Sequence, residues 1–163
     1  MFDDLIAANK RYAARFHDPG VAGTAAKQLA VLTCIDSRID PLAMLGLQPG
    51  DAKIIRNAGA RVTDDALRSV ILASNLLDAK RIIVVQHTDC AMAKATEAEI
   101  AERIEASTGA DATAMHFHVM DDQTVALRED VAKLRACPLI PADAEIAGFV
   151  YDVHTGELFP AEV

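Results

Sequence analysis

Residues 81–86, Arg81-Ile82-Ile83-Val84-Val85-Gln86, form an apolar run that leads directly into His87-Thr88-Asp89-Cys90. A short stretch that is apolar at consecutive positions and rich in Ile and Val predicts a strand buried on both faces, as in the middle of a parallel sheet. Gln28 to Cys34 (QLAVLTC) predicts a second strand of this kind, and Lys53 to Arg56 (KIIR) a third. Helical spacing separates them. Pro41 suits the first position of a short helix ending near Leu45. Thr63 suits the cap of a longer helix through Leu67, Val70, Ile71, Ala73, Ser74 and Leu77, with Asp64 and Asp65 at the favourable end of its dipole. Further helical patterns cover about 91–106 and 122–135, with a Gly/Ala/Thr linker around 107–113. Glu145 to Val153 and Glu157 to Phe159 flank His154-Thr155-Gly156, which reads as a strand and a hairpin turn.

Strands alternating with helices predict an α/β fold: an open, mainly parallel β-sheet flanked by helices and joined by right-handed crossovers. The 163 residues suit a single domain, 1–163, in which 1–27 form an N-terminal helical arm and loop. In the arm, Phe2, Leu5, Ile6, Tyr12, Ala13 and Phe16 recur at helical spacing over 2–16. This helix either packs on its own sheet or clasps a second subunit, and its sequence is compatible with both.

Sixteen Lys and Arg against 24 Asp and Glu leave a formal charge of −8, and much of the 52% apolar content is alanine. An acidic chain without a basic run is poorly suited to gripping phosphates, so nucleic acid is not expected as a partner. No stretch approaches the roughly 18 apolar residues of a membrane helix. Asp3 and Asp4 stand where a secretory leader would be basic, so the chain reads as soluble and cytoplasmic. Three cysteines are too few for a disulfide framework. In a reducing compartment they are better suited as metal ligands or nucleophiles.

Ligands bind beyond the carboxyl ends of strands in open parallel sheets. Two of the predicted strands end in Cys34-Ile35-Asp36-Ser37-Arg38 and His87-Thr88-Asp89-Cys90, so Cys34, His87 and Cys90 are predicted to converge. Two thiolates and an imidazole suit zinc, and three protein ligands leave a fourth position open, as in catalytic sites. Asp36 and Arg38 lie just past the strand, where an arginine-held carboxylate can accept a hydrogen bond from a water on the ion. Cys137, after a helix and before Pro138, lacks such company and reads as packing.

These residues resemble the β-class carbonic anhydrases. Cys34-Ile-Asp36-Ser-Arg38 is similar to the family's C-x-D-S-R, Arg56-Asn57-Ala58-Gly59 to its R-N-A-G, and His87-x-x-Cys90 to its H-x-x-C. The resemblance implies Cys34, His87 and Cys90 as Zn2+ ligands and Asp36 with Arg38 as a catalytic dyad. It also implies backbone N–H groups near Gly59 that orient substrate. The implied reaction is reversible hydration of CO2 to bicarbonate by zinc-bound hydroxide, in a homodimer or dimer of dimers whose N-terminal helix lies across the partner. The aspartate either pairs with the arginine or moves onto zinc as a fourth ligand.

Three positions depart from the family pattern. Gln86 and Ala91 replace glycines that commonly flank the H-x-x-C motif, and Ala91 is strained if that position needs a positive φ. Val31 replaces the tryptophan of an inhibitory bicarbonate pocket, so that pocket is not expected. Two other functions are compatible with the same ligands: hydrolysis of carbonyl sulfide or carbon disulfide, and a non-catalytic zinc protein. His17, His116, His118 and His154 are left over. The alternation in Met115-His116-Phe117-His118 suits a strand that shuttles protons, although a solvated loop is the plainer reading. Asp89 has no assigned chemistry.

Overall fold

The computed structural model describes all 163 residues. In chain order the elements are α1 (Asp3–Ala13), β1 (Leu29–Cys34), α2 (Pro41–Met44), β2 (Ala52–Asn57), α3 (Asp64–Leu76), β3 (Arg81–His87), α4 (Glu97–Thr108), α5 (Gln123–Arg135), β4 (Glu145–Tyr151) and β5 (Leu158–Pro160). Single 3-10 turns follow β2 at Ala58–Ala60 and β3 at Ala91–Ala93. The strands form one sheet in the order β2-β1-β3-β4-β5. The first four are parallel, and β5 returns antiparallel along β4 through the 152–157 hairpin.

Every residue of β1 is buried, as expected for a central strand covered on both faces. Ala30 and Leu32 face one side with Ile82 and Val84 of β3, where they meet Val70 and Ala73 of α3 and Leu127, Val131 and Leu134 of α5. Leu29, Val31 and Val85 face the other side beneath Leu47, with Leu42, Met44 and Leu45 alongside. Each fully buried Leu, Ile or Val side chain here contributes about 1.5–3 kcal/mol relative to an exposed one. Helix α3 starts where Thr63 predicts, its hydroxyl accepting from the Ala66 amide.

Two segments differ from expectation. The helical pattern at 91–106 is broken into the 3-10 turn and α4, because Thr96 caps a new helix at that point. Its hydroxyl accepts the Glu99 amide (3.2 Å) while the Glu99 carboxylate accepts the Thr96 amide (2.8 Å), a reciprocal capping box. Residues 115–118 form a loop and no strand. The Glu97 carboxylate accepts the amides of Phe117 (2.8 Å) and Val119 (3.2 Å), taking donors that a ladder would have needed.

Helix α1 has no buried residue, and Phe2, Leu5, Ile6, Tyr12 and Phe16 are all more than half exposed. It therefore does not pack on its own sheet. No helix is long and apolar enough to cross a membrane.

Candidate metal centre

Parallel pairing of β1 with β3 sets Thr33 opposite Val85, so both strands run out at the same edge of the sheet. Cys34 is the last residue of β1 and His87 the last of β3. The chain then turns back through Asp89, whose φ of +60° lies in the left-handed region that Asp and Asn tolerate better than most residues. The turn is tied to the end of β4, since the Thr88 amide donates to Tyr151 O (2.9 Å) and the Thr88 hydroxyl accepts the Val153 amide (3.1 Å). Cys90 is thereby returned to the other two. The Cys34 and Cys90 sulfurs and a ring nitrogen of His87 lie within 4.8 Å of one another, and all three residues are buried.

The hydrogen bonds fix which histidine nitrogen is free. His87 Nδ1 lies 2.8 Å from Thr88 O. A carbonyl oxygen only accepts, so Nδ1 carries a proton. Nε2 is buried with no hydrogen-bond partner, which leaves its lone pair directed among the sulfurs when the ring is neutral. An orphaned imidazole nitrogen beside two thiols fits a borderline-soft divalent ion, and a metal held there would satisfy it.

The sulfurs already behave as a pair. The neighbouring Cys90 thiol is the main influence on Cys34, and against the cost of burial it lowers Cys34 well below the ordinary thiol range. Cys90 is pushed up well beyond the ordinary thiol range, first by Cys34 and then by burial. Burial pulls His87 down, but the neighbouring Cys34 thiolate outweighs it and the net shift is upward. The Gly59 amide also donates to Cys34 Sγ (3.3 Å), which favours the thiolate. Gly59 therefore points its N–H at a ligand atom. Its φ is +76°, and a Cβ there would meet Met92 Cβ at 3.2 Å, so the close approach suits only glycine.

Asp36 and Arg38 form an ion pair beside this cluster. Arg38 Nε donates to Asp36 Oδ1 (2.9 Å) and Nη2 to Oδ2 (2.7 Å), a bidentate pair, while the Arg38 amide also donates to Oδ1 (2.9 Å). These bonds hold the Asp36 carboxyl well below the usual carboxylate range. Asp36 Oδ2 lies 3.9 Å from His87 Nε2, beside the position an ion would take.

Several residues have a part here that the sequence did not assign to them. Arg56 staples the loop after β1, donating to the carbonyls of Cys34 (2.8 Å), Asp36 (2.7 Å) and Ile39 (3.2 Å). Asn57 closes the 57–61 turn through both ends of its amide. Asp89 takes a third side of Arg38, its Oδ2 accepting from Nη1 at 2.8 Å. Ala91 is absent from the positive-φ positions, so it brings no strain there; the turn places its left-handed residue at Asp89. Gln86 is fully buried and neither amide atom has a partner. His116 pairs with Glu97 (2.8 Å) in the 115–119 loop, and His154 lies at the hairpin 4.0 Å from Asp89.

Comparison with known proteins agrees with this arrangement. The family model described as carbonic anhydrase matches residues 29–158. The chain belongs to the β-carbonic anhydrase family. β-Carbonic anhydrase 1 of Mycobacterium tuberculosis is 35% identical over 156 residues, with 96% of this chain and 94% of that protein covered. Carbon disulfide hydrolase of an Acidianus species is 39% identical over 156 residues, covering 81% and 76%. The crystal structure of carbonic anhydrase from Streptococcus mutans superposes with a TM-score of 0.92 at 38% identity, covering 99% of this chain and 97% of that one. The family thus includes close relatives named for two different substrates.

Proposed function

We propose that this member of the β-carbonic anhydrase family is a zinc enzyme that interconverts CO2 and bicarbonate. Cys34, His87 and Cys90 hold the ion, and Asp36 with Arg38 forms the catalytic dyad. The observation that carries the reading is the placement of an arginine-clamped carboxylate 3.9 Å from the free nitrogen of His87, over a three-donor cluster. A purely structural metal site has no use for an oriented carboxylate beside a vacant vertex.

When bound, zinc supplies Lewis acidity that makes a water molecule easier to deprotonate. The protein's own groups do the remaining work. Asp36 would accept a hydrogen bond from that water at Oδ2 and orient it, while the proton passes to buffer. Arg38 keeps the carboxylate ionised and oriented. Gly59 lends its amide to Cys34 and, lacking a side chain, shapes the wall beside substrate. The sheet core beneath His87 excludes bulk water from the ligand atoms.

Hydrolysis of carbonyl sulfide or carbon disulfide is the second reading, favoured by the 39% identity to a carbon disulfide hydrolase. Stopped-flow CO2 hydration and sulfide release from the two sulfur substrates, measured on one zinc-loaded sample, rank the readings. We expect CO2 hydration to dominate, and sulfide release without it would reverse the order.

Residues 1–163 are taken as one domain with an arm at 1–27, assembled as a homodimer or a dimer of dimers. Support comes from the exposed apolar face of α1 and from the open edge of β2. Light scattering should give at least twice the chain mass, and a monomer would overturn the assembly.

Metal uptake should release protons. Cys90 is a thiol at neutral pH because its folded value is raised, and it must become a thiolate to bind. His87 is raised too and must be neutral. About one to two protons should leave per ion at pH 7, and affinity should fall as pH falls. Calorimetry in buffers of different ionisation heat measures the number, and a value of zero contradicts this ligand set.

A further inference from the structure

Arg38 is held by two carboxylates. Asp36 occupies Nε and Nη2, and Asp89 reaches Nη1 from the opposite motif at 2.8 Å, with its backbone carbonyl accepting a second bond from Nη2 at 3.2 Å. The other oxygen of Asp89 pairs with Lys94, so two acids and two bases balance in charge. His154 also faces Asp89 at 4.0 Å.

The left-handed backbone at Asp89 does not explain the carboxylate. Asn or Gly meets a φ of +60° as well or better. The negative charge is used on Arg38.

We propose that Asp89 is a positioning residue that locks Arg38 from its outer side and so keeps Asp36 on the arginine and off the metal vertex. This rests on the metal reading above. Arg38 is 40% exposed in its side chain and, held by Asp36 alone, is free to swing toward water. Asp36 would then lose its partner while Oδ2 already lies close to the ligand cluster. A carboxylate without its arginine competes for the open vertex. Asp89 prevents that by making the guanidinium a bridge between the two strand-end motifs.

The test uses cobalt(II)-loaded protein and azide, a small anion that takes a vacant metal vertex, followed by visible absorption at one pH. Asp89→Asn keeps the backbone preference and one acceptor; Asp89→Ala removes both. Azide affinity is expected to fall about ten-fold in the alanine variant, equivalent to about 1.4 kcal/mol, and by less in the asparagine variant. The direction discriminates, because loss of one negative charge near the site would by itself tighten anion binding. Unchanged or tighter azide binding overturns the proposal. Loss of cobalt from the variants overturns it as well, since Asp89 would then be needed to build the site. If the wild-type chain binds no cobalt, the metal reading falls and takes this inference with it.

Discussion

Asp36→Asn is expected to lower kcat/KM for CO2 hydration by about two to three orders of magnitude, the range lost when one preorganised hydrogen-bonding group at the reacting atoms is removed, while zinc stays at one ion per chain. Asparagine matches aspartate in size, so the loop after β1 has no reason to move. Arg56 still staples the carbonyls of Cys34 and Asp36, and the three donor atoms lie elsewhere. Two functions are lost. The negative charge that orients the water is lost with the carboxylate. Its NH2 group would also face Arg38 Nη2, which now donates to Oδ2 at 2.7 Å, so the pair loses half of its bidentate bond. Stopped-flow traces with metal analysis on the same sample decide the matter. Undiminished turnover would remove Asp36 from the mechanism. Increased turnover would mean that the carboxylate spends most of its time on the ion.

The second large effect lies at a distance from the chemistry. Asp130→Ala should destabilise the fold by about 3–5 kcal/mol, the cost of breaking a buried ion pair from one side. Asp130 Oδ2 accepts from Arg61 Nε at 2.7 Å, with the two side chains 6% and 14% exposed. Its Oδ1 accepts the Val62 amide at 3.0 Å. Arg61 in turn holds the carbonyls of His118 (3.2 Å) and Val119 (3.4 Å). Alanine would strand a nearly buried guanidinium and an amide together. For a chain of this length the melting temperature should drop by on the order of 10 °C. Asp130→Asn, which keeps an acceptor, should cost less. Arg61 directly follows the turn that presents Gly59 to Cys34, so zinc affinity is expected to weaken in parallel. Thermal melts with and without zinc read both effects, and a change in Tm below 2 °C would show that the pair contributes little.

The architecture was largely legible because it rests on patterns local in the chain. Consecutive Ile and Val at 82–85 and the run Leu29–Cys34 can be buried on both faces only in a central parallel sheet. The helix after Thr63 announces itself by its cap and spacing. The split at 91–96 was legible too, in Thr96 and Glu99, but the continuing helical spacing masked it. Residues 115–118 alternate as a strand would, yet they form a loop because Glu97 claims the amide of Phe117 and that of Val119 just beyond.

Sequence alone determined which atoms meet at the site. Once two parallel strands are neighbours, their carboxyl ends must share an edge, and Cys34, His87 and Cys90 stand at those ends. Tertiary structure alone decided how that cluster is held. Asp89 on Arg38 spans 51 positions and Asp130 on Arg61 spans 69. A contact between two charged side chains on separate elements leaves no periodicity in the chain, because each residue by itself is compatible with an ordinary solvated surface. Burial and geometry, which exist only after folding, turn those charges into a lock on the arginine and a brace beneath the turn.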